Sequence, residues 1–237
     1  MNSAYITVGI NARLAEAREM LRAIREREAN PRDLATKDLL SATLRGMFYI
    51  TLYGALEYCV TESVQNFISF ISAQKIKNAH ISYVVNVVAL DAQLVSARNA
   101  GEKKKWETRR AIFERIDGNS ICDVDNTVFG TFLHNIWPKT LEEIFLCLGI
   151  AKPATSDPRE IGYLREIVEK RNAVAHGRET AANAGEGSTA DDLQKRMDAL
   201  YSVCIYFLTT LEEHASAMGF VRPRYRRVYK GKENAAG

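Results

Sequence analysis

The chain lacks most of the features that would assign it quickly. Its 237 residues contain no run approaching eighteen apolar side chains, the length a membrane span requires, so none is expected. The opening MNSAYITVGINARLAEAREM has no basic segment followed by an apolar stretch and a cleavage site. No secretory signal is expected there, and the expected location is the cytoplasm. The four cysteines, Cys59, Cys122, Cys147 and Cys204, form no C-x-x-C pair and have no histidine at ligand spacing. Structural zinc is therefore not expected. Cys59, Cys147 and Cys204 sit in apolar runs and read as buried thiols of a reducing compartment. An excess of one charge is also missing. Thirty-two Lys and Arg oppose 29 Asp and Glu, a surplus of +3 that permits a nucleic-acid partner without demanding one.

What is present is helical periodicity, almost throughout. Ile6, Ile10, Leu14, Ala17, Leu21 and Ile24 recur at steps of three and four, with Arg13, Glu16, Arg22, Arg25, Glu26 and Arg27 mostly off that stripe. Asn30-Pro31 should end this first helix. From about Thr36 to Ala73, Leu40, Leu44, Phe48, Leu52, Leu56, Val60, Val64, Ile68 and Ile71 form one long stripe, which predicts the spine of a bundle. Gly46 and Gly54 inside it mark either close approaches of another element or kinks.

Residues 75–120 are less legible. ISYVVNVVAL (81–90) suits a strand or a buried helix equally. EKKKWETRR (102–110) reads as a solvated helix face, with phosphate contact as the sharper alternative. Beyond it, Asn126 or Thr127 caps a piece through Val128, Phe132 and Ile136. Pro138 opens a helix that Gly149 stops. After the linker KPATSDP, Ser156 or Asp157 caps a helix holding Ile161, Leu164, Ile167 and Val168, which should end at Gly177. RETAANAGEGSTA (178–190) reads as a flexible loop. A last long helix carries Leu193, Met197, Leu200, Tyr201, Cys204, Phe207, Leu208 and Leu211. The tail VRPRYRRVYKGKENAAG holds six basic residues between Arg222 and Lys232, with Tyr225 and Tyr229 among them. The expected divisions are an N-terminal helix (1–30), a helical domain (31–218) and a basic, flexible tail (219–237).

The chemistry-bearing string is YLREIVEKRNAVAHGRE (163–179). On a helix Asn172 and His176 lie about 40° apart in azimuth and about 6 Å apart along the axis, so they share a face. Arg171 is about 140° from His176, so only its long side chain can bring the guanidinium round. His176 falls in the last turn. There the helix dipole favours the imidazolium form while Arg171 opposes it, so a histidine titrating near neutrality is expected. Arginine-polar-x-x-x-histidine is also what an ion pair and a helix-capping histidine would look like. His80, His134 and His214 have no partners at useful spacing.

RNAVAHG (171–177), following a long helix with LYGALEYCVTESV and leading to a final long helix, resembles the HEPN superfamily over roughly residues 35–217. The resemblance implies an all-α bundle with long first and last helices, here with an additional N-terminal helix. It implies a metal-independent endoribonuclease of the kind found in prokaryotic toxin and phage-defence systems, with Arg171, Asn172 and His176 as its site and no cofactor. Without metal, RNA can be cut by its own 2′-hydroxyl. Such a site needs a proton acceptor, a proton donor and a cation on the phosphorane. His176 suits the proton transfers, Arg171 the phosphate, and Asn172 the orientation of His176 or a phosphate oxygen. One Arg and one His are too few for all three tasks. A homodimer through the motif helices is therefore implied, along with an antitoxin or defence partner and no membrane. Glu57 is a candidate partner for Arg171. Arg178, Arg224, Tyr225, Arg226 and Arg227 are candidate RNA contacts. Arg178 stands where some toxins of the superfamily carry a nucleotidylated tyrosine, so that control is not expected here. A catalytically silent module that binds RNA, nucleotide or a protein partner is the alternative.

Overall fold

A computed structural model describes residues 1–28 and 38–230. The expected break at Asn30-Pro31, the start at Thr36 and residues 231–237 lie outside them. Helix α1 (Ala4–Glu28) buries Ile6, Ile10, Leu14, Ala17, Leu21 and Ile24, the stripe read from its spacing. Helix α2 (Leu39–Ala73) follows, about 52 Å long at 1.5 Å per residue. Asp38 caps it, accepting from the Leu40 and Ser41 amides at 3.1 and 3.2 Å. From Phe48 to Ile71 its stripe is buried, whereas Leu40 at the open N-terminal end is 49% exposed.

After α2 the chain makes short elements: α3 (Asn86–Ala89), α4 (Asp91–Asn99), α5 (Lys105–Ile116), α6 (Pro138–Cys147) and α7 (Pro158–Ala175). Then come α8 (Ala181–Gly185), the long α9 (Ala190–Ser216) and α10 (Arg226–Lys230). No strand occurs among the described residues, only isolated bridges pairing Lys77 with Ile121 and Ile81 with Val221. The protein is all-α, as expected. Helices α1, α7, α8 and α9 all pack on α2, and α9 also touches α1 and α7. Helices α4 and α5 form a hairpin that buries no residue.

Three expectations need correction. Residues 178–190 are not a flexible loop: α8 is docked so closely on α2 that a Cβ on Gly46 would lie 1.8 Å from the Ala181 carbonyl oxygen. Gly54, by contrast, has nothing within 4 Å of where its Cβ would be, so it marks no close approach. Residues 219–230 are not a flexible tail. Phe220 and Val221 are fully buried, and Phe220 meets Phe67 and Phe70 edge-on at 5.9 and 6.1 Å. The apolar and aromatic side chains between the cations close the end of α2. Lastly, α2 contains an eighteen-residue window of mean hydropathy 1.2, enough by length and composition to cross a membrane. Four helices pack on it, which accounts for that apolarity within the bundle.

His214, near the end of α9, lies 5.9 Å from the Phe67 ring, and its Nε2 is 3.1 Å from the Leu148 carbonyl oxygen. Burial pushes its imidazole below the ordinary value, against the Leu148 contact, which raises it. With the folded value depressed, the unfolded chain takes up the proton first as pH falls. Stability is therefore fully present above about pH 6.5 and declines below it until the folded imidazole itself titrates. Urea denaturation at pH 7.5 and 5.5 should show this loss in wild type and a smaller one in His214→Gln.

Candidate active site

Helix α7 is sharply bounded. Asp157 accepts from the Arg159 amide at 2.9 Å, and the Glu160 carboxylate accepts from the Asp157 amide at 3.2 Å, a reciprocal capping pair ahead of Pro158. At the other end Gly177 takes φ +67°, and the Arg178 amide donates to the Ala173 carbonyl at 2.9 Å. This is the stop read from the sequence. Leu164, Ile167, Val168 and Asn172 face inward. Glu166 fixes the rotation of the helix. Its carboxylate takes two hydrogen bonds from the Arg196 guanidinium, at 3.1 and 3.2 Å, and one from the Tyr49 hydroxyl at 2.8 Å, tying α7 to α9 and α2. Burial pushes the Tyr49 phenol up to about 12, so it stays a donor.

Arg171 turns toward α2. Its guanidinium carbon lies 4.0 Å from the centre of the Tyr53 ring, its Nη1 donates to the Asn172 side-chain oxygen at 2.7 Å, and its Nη2 is 3.9 Å from the Glu57 carboxylate. The Tyr53 ring is itself fixed: its hydroxyl donates to the His134 carbonyl at 3.4 Å and accepts from the Ile136 amide at 3.0 Å. Asn172, 5% exposed, donates to the Asn135 side-chain oxygen at 3.1 Å. A planar cation lying on an aromatic face and held at its rim retains the donors that nobody claims.

His176 caps the helix and is exposed. Among the described residues its ring makes no hydrogen bond, so both nitrogens face solvent. The expected orientation of His176 by Asn172 is not what the structure shows. The amide of Asn172 is taken up by Arg171 and Asn135, and it positions the arginine instead. Nor does the Arg171 guanidinium reach His176, because the 140° between them leaves it against α2.

A groove runs beside this constellation, lined by Trp137, Glu169, Lys170, Asn172, Arg178 and Glu179. Lys170 is committed, donating to the Ala184 carbonyl at 2.5 Å, whereas Arg178 is exposed. The remaining RNA-contact candidates are elsewhere. Arg224, Tyr225, Arg226 and Arg227 sit near the C-terminal end of α2, about 24 Å along its axis from the level of Glu57. Three of them have internal partners, Arg224 lying over the Tyr225 ring at 4.7 Å. Tyr225 stacks on His80 at 3.7 Å, and Arg226 donates to the Val221 and Gly219 carbonyls at 2.9 and 3.1 Å.

Sequence reading missed Tyr53, Asn135 and Trp137. Tyr53 is 1% exposed and reads as a core aromatic by burial. Its position four residues before Glu57, on the same helix face, was the available signal. Asn135 and Trp137 reach the site from a distant loop, which no spacing reveals. Tyr53→Phe removes the hydroxyl that accepts from the buried Ile136 amide and should cost about 1–3 kcal/mol in a urea melt. Among the described residues no group of three or more His, Cys, Asp or Glu is placed to hold a metal ion.

A family model described as RiboL-PSP-HEPN matches residues 11–213, from within α1 to the last turn of α9 and including all of α7. No curated protein and no solved structure matches the chain.

Proposed function

The chain belongs to the RiboL-PSP-HEPN family of the HEPN superfamily, and on that footing we propose that it is a metal-independent endoribonuclease acting through Arg171, Asn172 and His176. The observation that carries this reading is the preset guanidinium. Tyr53, Asn172 and Glu57 hold the Arg171 guanidinium against α2, on the same helix that ends in an exposed histidine with no hydrogen bond among the described residues.

In the proposed reaction the 2′-oxygen of a ribose attacks the adjacent phosphorus and the bond from phosphorus to the 5′-oxygen breaks. The products are a 2′,3′-cyclic phosphate and a 5′-hydroxyl. One His176 takes the 2′-hydroxyl proton, and Arg171 faces the charge that builds on the phosphorane oxygens. A proton must also reach the leaving 5′-oxygen, and a single chain offers one histidine for two transfers. A homodimer through α7 supplies the second copy's His176 and Arg171 across a shared cleft. That arrangement also answers the separation of Arg171 from His176 within one chain. Arg178, on the wall of the groove, contacts the incoming strand. A toxin or phage-defence role in the cytoplasm follows from this activity, with an antitoxin or defence protein as the restraining partner.

Incubating the purified protein with total RNA in EDTA tests the proposal. Cleavage leaving 2′,3′-cyclic phosphate ends is expected, and a 2′-deoxy substitution at the cut site should block it. The same separation of Arg171 from His176 favours a second reading, a silent module that binds RNA, nucleotide or a protein. A folded dimer that cuts nothing, even with magnesium and a panel of tRNAs, would establish that reading instead.

A further inference from the structure

The segment following α9 contains a cation that the fold does not fully use. Arg222 is only 8% exposed. Its Nε donates to the Ile81 carbonyl at 2.8 Å and its guanidinium carbon lies 3.9 Å from the centre of the Tyr83 ring, yet its Nη2 is buried with no partner. Among the described residues no carboxylate forms an ion pair with it. The neighbouring charges carry the same sign. After burial, the charges of Lys77, Arg222 and Arg224 are what hold the His80 imidazole below its ordinary value. A buried guanidinium with an open donor and no counter-charge is costly, and an anion is what completes it.

A pocket lies at this place, lined by Ser82, Tyr83, Val84, Arg222, Pro223 and Arg224. Arg224 is exposed at its rim. Tyr83 is 67% exposed with one face of its ring on the Arg222 guanidinium, which leaves the other face to solvent. A fork for phosphate beside an open aromatic face is the pairing that single-stranded nucleic-acid sites use.

We propose that this pocket binds one nucleotide unit, with Arg222 and Arg224 on the phosphate and Tyr83 stacked on the base. It is separate from the groove at α7, lying near the C-terminal end of α2 whereas Tyr53 and Glu57 are at its middle. Of the residues here only Arg224 was a candidate from the sequence. Tyr225, the aromatic expected to stack on bases, is taken by His80, and Tyr83 replaces it in that role. A free nucleoside monophosphate and a unit of single-stranded RNA offer the same groups, and the experiment separates them.

The full chain carrying His176→Ala, which prevents cleavage of the probe, is titrated with inorganic phosphate, with UMP and with a short labelled uridine oligonucleotide. The same titrations are made on that protein with Tyr83→Ala or Arg224→Ala added, both exposed positions. The expected result is binding of UMP and oligonucleotide that each added variant weakens about tenfold, and binding of phosphate that Arg224→Ala weakens and Tyr83→Ala does not. Oligonucleotide bound far more tightly than UMP, with that excess lost in Tyr83→Ala and in Arg224→Ala, identifies RNA as the ligand of this pocket rather than of the α7 groove, and equal affinity identifies the free nucleotide. Failure to bind any of the three probes overturns the proposal, as do equal affinities with and without the added substitutions. For UMP and oligonucleotide, a loss in Arg224→Ala without one in Tyr83→Ala overturns the nucleotide assignment, leaving only an anion site. No cleavage is read, so the outcome is independent of the ribonuclease proposal: an enzyme that cuts RNA can fail this test, and a silent protein can pass it.

Discussion

Replacing His176 with alanine is expected to lower RNA cleavage in EDTA by about 10²–10⁴-fold, the usual contribution of a positioned acid or base. The ring is exposed and makes no hydrogen bond among the described residues, so its removal should change stability by no more than about 0.5 kcal/mol. Loss of activity with an unchanged urea midpoint and an unchanged dimer would assign the proton transfers to this residue. Arg171→Lys makes the complementary case. The charge survives, but the planar fork that lies on Tyr53 and bonds Asn172 does not. Cleavage should fall substantially although the net charge is preserved. Full activity in either variant would remove that residue from the reaction.

The second large effect concerns two glycines on one helix, expected to respond with opposite signs. Alanine at position 46 would gain about 1 kcal/mol of helix propensity, but its Cβ would sit 1.8 Å from the Ala181 oxygen and 2.6 Å from the Ala181 carbonyl carbon. Both are backbone atoms and cannot rotate away, so α8 must move. Overpacking of this kind costs about 1–3 kcal/mol, more when the neighbour is main chain. Gly46→Ala should therefore lower the urea midpoint. It should also loosen the Ala184 carbonyl that holds Lys170 beside the groove. Gly54→Ala meets nothing and should raise the midpoint by up to about 1 kcal/mol. Equal midpoints for the two variants would contradict the close docking of α8.

These two glycines also show how far the sequence could be read. Periodicity was sufficient for α1, most of α2 and α9, because each buries one face along its whole length, and Pro138, Asp157, Gly149 and Gly177 marked helix ends through local backbone chemistry. The sequence left close approach and kinking open for both Gly46 and Gly54. Deciding between them needs to know that α8 crosses α2 at residue 46, a contact between segments about 135 positions apart in the chain. The site was legible to the same degree. Arg171, Asn172 and His176 fall within six residues and stood out, and Glu57 was reachable from its place on the long helix. The role of Asn172 was not, since Asn135 arrives from a separate loop and captures its amide. Run 81–90 stayed ambiguous because its β-branched residues divide between inside and outside: Ile81, Val85 and Val88 are buried at helical spacing, while Val84 and Val87 are exposed. The basic tail misled because composition registers its cations, whereas packing is decided by Phe220, Val221 and Tyr229 among them.

The central place of α2 has a consequence for biosynthesis. Most of its apolar surface is covered by α7, α8 and α9, and α9 begins more than a hundred residues after α2 ends. At ribosomal speed that interval is on the order of ten seconds, during which α1 comes first as a partner and the segment carrying His134 and Ile136 and then α7 follow. A helix apolar enough to pass for a membrane span thus waits on the nascent chain half covered. The Tyr53 and Glu57 supports of Arg171 lie on that waiting helix, so Arg171 is not set in place until most of the bundle has been translated.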